Sequence, residues 1–100
     1  MIVKFKTRQL RTCYLQHRKA RQAFGETVAR RYIQRINIIQ NTQSIDELMR
    51  LPALRCHALK GDRSGQYAIN LTGFYRLIFR LRGNQLEIVM IEEVSKHYGD

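Results

Sequence analysis

The hydrophobic period of this chain changes once, near Leu54, and that change fixes the fold class. Upstream, Val28, Tyr32, Ile36 and Ile39 step by four, four and three residues, which is one face of a helix. Downstream, Tyr67, Ile69 and Leu71 alternate with Ala68 and Asn70. Tyr75, Leu77, Phe79 and Leu81 then alternate with Arg76, Ile78, Arg80 and Arg82. A period of two belongs to strands with one buried face. Helices followed by hairpin-linked strands predict an α+β domain, its N-terminal helices packed on one face of a small, mainly antiparallel sheet.

The local signals fill in the order. Ile2 to Lys6 reads as a first strand, and Thr7 as the N-cap of a helix over about Arg8–Lys19, with Leu10 and Tyr14 on its apolar side. The basic cluster His17-Arg18-Lys19-Ala20-Arg21 leads to a break near Gly25, and a longer helix follows over Glu26–Gln40. Ser44-Ile45-Asp46-Glu47 has the form of a capping box that opens a short helical turn closed by Pro52. Gly83-Asn84 predicts a two-residue type II′ hairpin loop between strand Phe74–Arg82 and a last strand from Leu86 to about Val94. That last strand is apolar nearly throughout, which places it inside the sheet. The 100 residues form one domain, 1–100, without repeats or a linker.

Charge narrows the partners. Eighteen Lys and Arg, most of them Arg, oppose eight Asp and Glu, for a net charge of +10. Residues 1–50 carry +8 of it and residues 51–100 carry +2. A small domain this basic, and this rich in a cation that grips phosphate with a planar fork, predicts a polyanionic partner, nucleic acid first. The longest apolar run falls far short of the roughly 20 residues that span a bilayer, so no membrane role is expected. Cys13 and Cys56 are too few for a disulfide scaffold and form no Cys-x-x-Cys pair, which predicts a cytoplasmic chain with reduced thiols.

The chemistry is reached by elimination. Cys56 and His57 are neighbours on a strand and point to opposite faces, so a Cys–His dyad fails. Ser64 stands in Asp-Arg-Ser-Gly rather than a nucleophile elbow. No His, Cys, Asp and Glu spacing resembles a metal site, and the carboxylates are few and scattered. The second face of strand Phe74–Arg82 carries Arg76, Arg80 and Arg82, like charges ~7 Å apart along the strand. Their mutual repulsion predicts an anion between them. What remains is a basic site with His, Lys, Arg and Tyr available, and no metal or other cofactor.

At these residues the chain resembles a known family. His57-Ala58-Leu59-Lys60-Gly61-Asp62-Arg63-Ser64-Gly65, then Tyr67-Ala68-Ile69, Tyr75-Arg76-Leu77-Ile78-Phe79 and a close at His97-Tyr98 resemble the HigB toxins of the RelE/ParE superfamily, also described as plasmid maintenance system killer proteins. The second half matches residue by residue, the first half by length and helix order. The resemblance implies a RelE-like fold and a ribosome-dependent mRNA endonuclease that inhibits translation, held inactive by a HigA-type antitoxin with a helix-turn-helix domain. It implies catalytic roles for His57, Lys60, Arg76 and Tyr98, with ribosome and mRNA as targets. The family's terminal Tyr-His order is reversed here, so His97 shares the aromatic position. Arg63, Arg80, His97 and the helical Arg18, Lys19 and Arg21 are the expected RNA-binding residues. Within the superfamily, a ParE-like gyrase poison is the alternative; a non-catalytic RNA-binding module is another.

Metal-free RNA scission agrees with these residue types. The 2′-hydroxyl attacks the adjacent phosphorus, which requires a proton acceptor, a proton donor for the leaving 5′ oxygen, and cations for the added charge. His57 exchanges protons near neutrality, with an unperturbed imidazole at about 6.5. Neighbouring Arg63 and Arg76 favour a neutral Lys60. Arg76 suits the clamp on the scissile phosphate, and Tyr98 suits stacking on a splayed base. Acid and base stay open among His57, Lys60 and Tyr98. In this reading, Gly61 and Gly65 let the loop bend so that His57 and Lys60 face the substrate.

Overall fold

The computed structural model describes residues 1–96, and the elements follow the two hydrophobic periods. Strand β1 (Ile2–Phe5) is followed by helices α1 (Arg8–Leu15), α2 (His17–Phe24), α3 (Glu26–Gln40) and α4 (Ile45–Met49). A 3-10 turn (Pro52–Leu54) leads to β2 (His57–Ala58), a second 3-10 turn (Gly61–Arg63), β3 (Gln66–Asn70), β4 (Tyr75–Arg82) and β5 (Ile88–Lys96). The five strands lie in the order β1-β5-β4-β3-β2, antiparallel except for the parallel pair β1–β5. The nearly apolar β5 does lie inside the sheet.

One core joins helices and sheet. Val28, Tyr32, Ile36 and Ile39 of α3 are buried against Ile69, Leu77, Phe79, Val89 and Ile91 of the strands. Tyr32 is fully buried and its phenol donates to the Leu10 carbonyl of α1 at 2.7 Å, tying two helices together. Arg31 donates to the Leu71 carbonyl at 2.8 Å and Arg35 to that of Asn70 at 3.3 Å, which fastens α3 to the hairpin between β3 and β4. Burial, then the neighbouring Arg31, lowers the pKa of Arg35 from the usual arginine range. The helices cover one face of the sheet, and among the described residues the other face carries no helix, the α+β arrangement expected.

The caps form as anticipated. The Thr7 hydroxyl accepts from the Leu10 N–H at 3.1 Å, and the Ser44 hydroxyl from the Glu47 N–H at 3.2 Å. The reciprocal arm of the box reaches one residue further back than the motif predicts, with Glu47 Oε2 accepting from the Gln43 N–H at 3.1 Å.

Two expectations are corrected, and one is extended. The first helix does not run from Arg8 to Lys19. It ends at Leu15, and Gln16 takes an extended conformation (φ −129°, ψ 104°) before α2 starts. The basic cluster after it is thus helical, stopped at Gly25 by a positive φ of 83°. Pro52 opens a 3-10 turn in addition to following α4. The hairpin after β4 is not a two-residue loop, because the ladder closes at Arg82–Ile88 and leaves residues 83–87 as the loop. Glu87 is the reason: its carboxylate accepts from the Gln85 N–H at 3.0 Å, while its carbonyl takes the Ile2 N–H at 2.9 Å. The residue that would extend the β4–β5 ladder is used by the loop and by β1.

Candidate active site

The open face is read from the strand register. His57 pairs with Ala68, Ala68 with Ile78 and Ile78 with Glu93, so these four form one row across the sheet. The row beside it holds Asn70, Arg76 and Ser95, and the row on the other side Gln66, Arg80 and Met90. Ala68 and Ile78 are buried yet stand apart from the helix-side core, and they floor the site. With two inter-strand steps and two residues along the strand, the Cα atoms of His57 and Arg76 are about 12 Å apart.

His57 occupies the edge strand β2 and is exposed. Its Nδ1 lies 2.8 Å from the Arg55 carbonyl. A carbonyl only accepts, so Nδ1 carries the hydrogen and Nε2 is the atom left to exchange a proton. Arg55 itself holds a left-handed conformation (φ 48°, ψ 40°), a state that costs a non-glycine residue about 1–2 kcal/mol. That strain sits at the residue that orients the imidazole. Cys56 beside it is buried, with its thiol pushed up to about 12 by desolvation, so the two neighbours do point to opposite faces.

The loop from Lys60 to Gly65 folds back at the end of β2. The Leu59 N–H donates to the Gln66 carbonyl at 2.8 Å and closes it. Gly61 and Gly65 both take positive φ (64° and 92°), as a tight bend requires. A Cβ on Gly65 would lie 2.8 Å from Nη1 of Arg80, so the missing side chain also makes room for that guanidinium. Lys60 is exposed at the start of this loop, three residues beyond His57.

The arginine row needs a correction. Its charges do not await an outside anion alone, since two carboxylates of β5 already enter the face. A β-bulge at Ile78/Phe79 leaves Glu92 as the extra residue on β5, with Phe79 opposite Ile91 and Ile78 opposite Glu93. Both acids thereby reach partners on the open face. Glu92 Oε1 accepts from Arg80 Nε at 3.0 Å and from Gln66 Nε2 at 2.9 Å. Arg63 Nη2 reaches from the loop to Glu93 Oε1 on β5. Arg76 sits half-buried in the neighbouring row, its Nε shut off from solvent.

The structure thus brings His57, Arg63, Arg76 and Arg80 onto one face, with Lys60 on the loop at its rim. Arg18, Lys19 and Arg21 are exposed on α2, which packs on α1 and α3 in the helical layer, across the sheet from that face. Arg21 lies 3.9 Å from Glu26, and His17 lies 3.3 Å from the same carboxylate. Tyr98 and His97 lie outside the described residues. Among the described residues, no group of three or more His, Cys, Asp or Glu is placed to hold a metal ion, and no helix is long and apolar enough to cross a membrane. Glu92, Glu93 and Gln66 were not among the expected site residues. Their signal was legible, because two adjacent glutamates in a central strand can both avoid the core only if the strand bulges.

Comparison with known proteins places the chain. The family model for the RelE-like toxin of the type II toxin–antitoxin system HigB matches residues 3–93. No curated protein sequence matches it. Solved structures share its fold at low identity. A YoeB/ParE toxin from Agrobacterium tumefaciens is 20% identical with a TM-score of 0.57, over 98% of this chain and 100% of that one. YafQ from E. coli is 15% identical with a TM-score of 0.60, over 94% and 90%. The YoeB-YefM complex from Staphylococcus aureus gives 19% identity and a TM-score of 0.54, over 98% of each chain.

Proposed function

Since the chain belongs to the HigB-like family of RelE-like toxins of type II toxin–antitoxin systems, we propose that it is a ribosome-dependent mRNA endonuclease that stops translation by cutting message without a metal. The observation that carries this reading is the sheet face opposite the helices, on which His57 stands in the row between those of Arg76 and Arg80. In the proposed reaction the 2′-oxygen bonds to phosphorus and the P–O5′ bond breaks, leaving a 2′,3′-cyclic phosphate and a 5′-hydroxyl. One proton leaves the 2′-hydroxyl and one is delivered to the 5′ oxygen. His57, held through Nδ1 by Arg55, presents Nε2 for one of these transfers. Lys60 at the loop and Tyr98 complete the proton-handling set. Arg76 stabilises the charge that develops on the phosphoryl oxygens. Arg63, Arg80 and His97 hold flanking RNA.

Arg18, Lys19 and Arg21 supply a second cationic surface on the helical layer, which suits ribosomal RNA. Arg31 and Arg35 spend their guanidinium groups on the carbonyls of Leu71 and Asn70 and serve the fold. As a type II toxin the protein has an antitoxin partner; a HigA-type helix-turn-helix protein in the cytoplasm is the proposed one. The test uses Arg76→Ala and His57→Gln. Each lowers cleavage of message on programmed ribosomes by about 10²- to 10⁴-fold and abolishes growth arrest, while ribosome binding survives. Unchanged toxicity in both variants refutes the assignment. Intact message with stalled replication instead points to the gyrase alternative.

A further inference from the structure

The two carboxylates on the cationic face differ in burial and in what they hold. The Glu92 side chain is 9% exposed and bridges Arg80 and Gln66 through one oxygen. The Glu93 side chain is 41% exposed and meets a single cation, Arg63, itself 38% exposed. Glu93 also shares its row with His57, and its pair with Arg63 links the β2–β3 loop to β5 across β3 and β4, over the strip of sheet that faces the substrate. A phosphodiester placed between His57 and Arg76 meets the Glu93 charge at close range, and like charges there repel.

We propose that Glu93 is a replaceable stand-in for an RNA phosphate on Arg63, whereas Glu92 is a fixed counter-charge that aims Arg80 and Gln66 at the substrate. This rests on the RNA-binding part of the proposed function and not on its cleavage step. In the free protein the Arg63–Glu93 pair spans one strip of the face. RNA binding exchanges it, with phosphate taking the Arg63 guanidinium and the Glu93 carboxylate turning to water. An exposed pair of this kind is weak, so a phosphate that takes over the Arg63 guanidinium displaces Glu93 readily. The Glu92 cluster is too buried to open in this way, and Gly65 leaves the space its Arg80 occupies.

The experiment measures equilibrium binding of a fluorescent 2′-O-methyl oligoribonucleotide, which cannot be cut, to the full-length protein between 50 and 300 mM salt. Glu93→Gln is expected to tighten binding about two- to fivefold, because the pair no longer has to break. The log–log salt slope is expected to stay near the parent's, because Arg63 neutralises the same phosphate in both complexes. Glu92→Gln, of equal charge change, is expected to weaken binding, since a neutral amide oxygen holds the Arg80 guanidinium less firmly than a carboxylate does. The opposite signs are the signature. If the two variants tighten binding alike, the carboxylates act as bulk charge and the proposal falls. It falls equally if Glu93→Gln leaves affinity unchanged. Failure of message cleavage with the binding contrast intact would overturn the nuclease reading and leave this one standing. Thermal melts of both variants within 2–3 °C of the parent exclude misfolding; should Glu92→Gln melt lower, Arg80→Gln and Gln66→Ala are expected to reproduce its weaker binding.

Discussion

Replacing Tyr32 by Phe isolates one buried hydrogen bond whose worth changes sign with pH. The phenol is fully buried and donates to the Leu10 carbonyl at 2.7 Å. Phe keeps the ring and its contact with Phe24, whose centroid is 5.3 Å away. The Leu10 carbonyl lies within α1 and keeps its helical donor, so no acceptor is orphaned. The loss at neutral pH is therefore the net value of a hydrogen bond, about 1 kcal/mol, rather than a full desolvation penalty. For a domain of this size that lowers the midpoint of thermal unfolding by about 4–8 °C. Burial, and secondarily the thiol of Cys13, pushes the phenol above its ordinary value of 10. A raised acid contributes stability that is fully present below about pH 10 and lost as pH rises toward the folded value. Each unit above 10 removes about 1.4 kcal/mol from the parent and nothing from the Phe variant. The parent's advantage thus vanishes near pH 11 and reverses beyond it. Groups common to both proteins cancel in the difference. Urea denaturation followed by circular dichroism at pH 7, 9, 10.5 and 11.5 reads it directly. A difference that stays constant across that range refutes the buried phenol, and a Phe variant more stable at pH 7 refutes the hydrogen bond.

Two further substitutions and reactions test the loop and the core. Gly65→Ala places a Cβ in a backbone of φ +92° and 2.8 Å from Arg80 Nη1; it is expected to cost about 1 kcal/mol by urea titration and to weaken RNA binding as Arg80→Gln does. Cys56, buried and with its thiol pushed up to about 12, is expected to resist a thiol reagent at pH 8 in the folded protein and to react at once in denaturant. Fast labelling of the folded chain at Cys56 would show that the segment before His57 opens.

Much of this architecture was legible because local and global signals agreed. Helix α3 begins and ends where its apolar face and Gly25 predict, and Thr7 caps α1 as a threonine in that place should. Strand β4 alternates except at Ile78, which is enough to assign its two faces from the sequence. The break at Gln16 carried no glycine or proline to announce it. It follows from packing: α1 buries Leu10 and Cys13 while α2 buries only Ala20, and one straight helix could not direct both sets inward. The hairpin loop was misjudged because Gly83 does adopt a positive φ of 92°, while Glu87 diverts the register beyond it. At the site, the shared face of Arg76 and Arg80 is legible from alternation, and His57 stands out only through the family resemblance. Glu92 and Glu93 are legible as adjacent acids in an apolar strand, which implies a bulge, whereas charge counting alone leaves them scattered.

The strand order carries a last consequence. Strand β1 is synthesised first but pairs only with β5, which follows the whole helical layer and the other three strands. So long-range a pairing closes late and slowly. Until β5 is in place, the sheet lacks the member that joins both its halves and supplies Glu92 and Glu93. The cationic face and its two counter-charges are therefore completed together, by the same strand that closes the sheet.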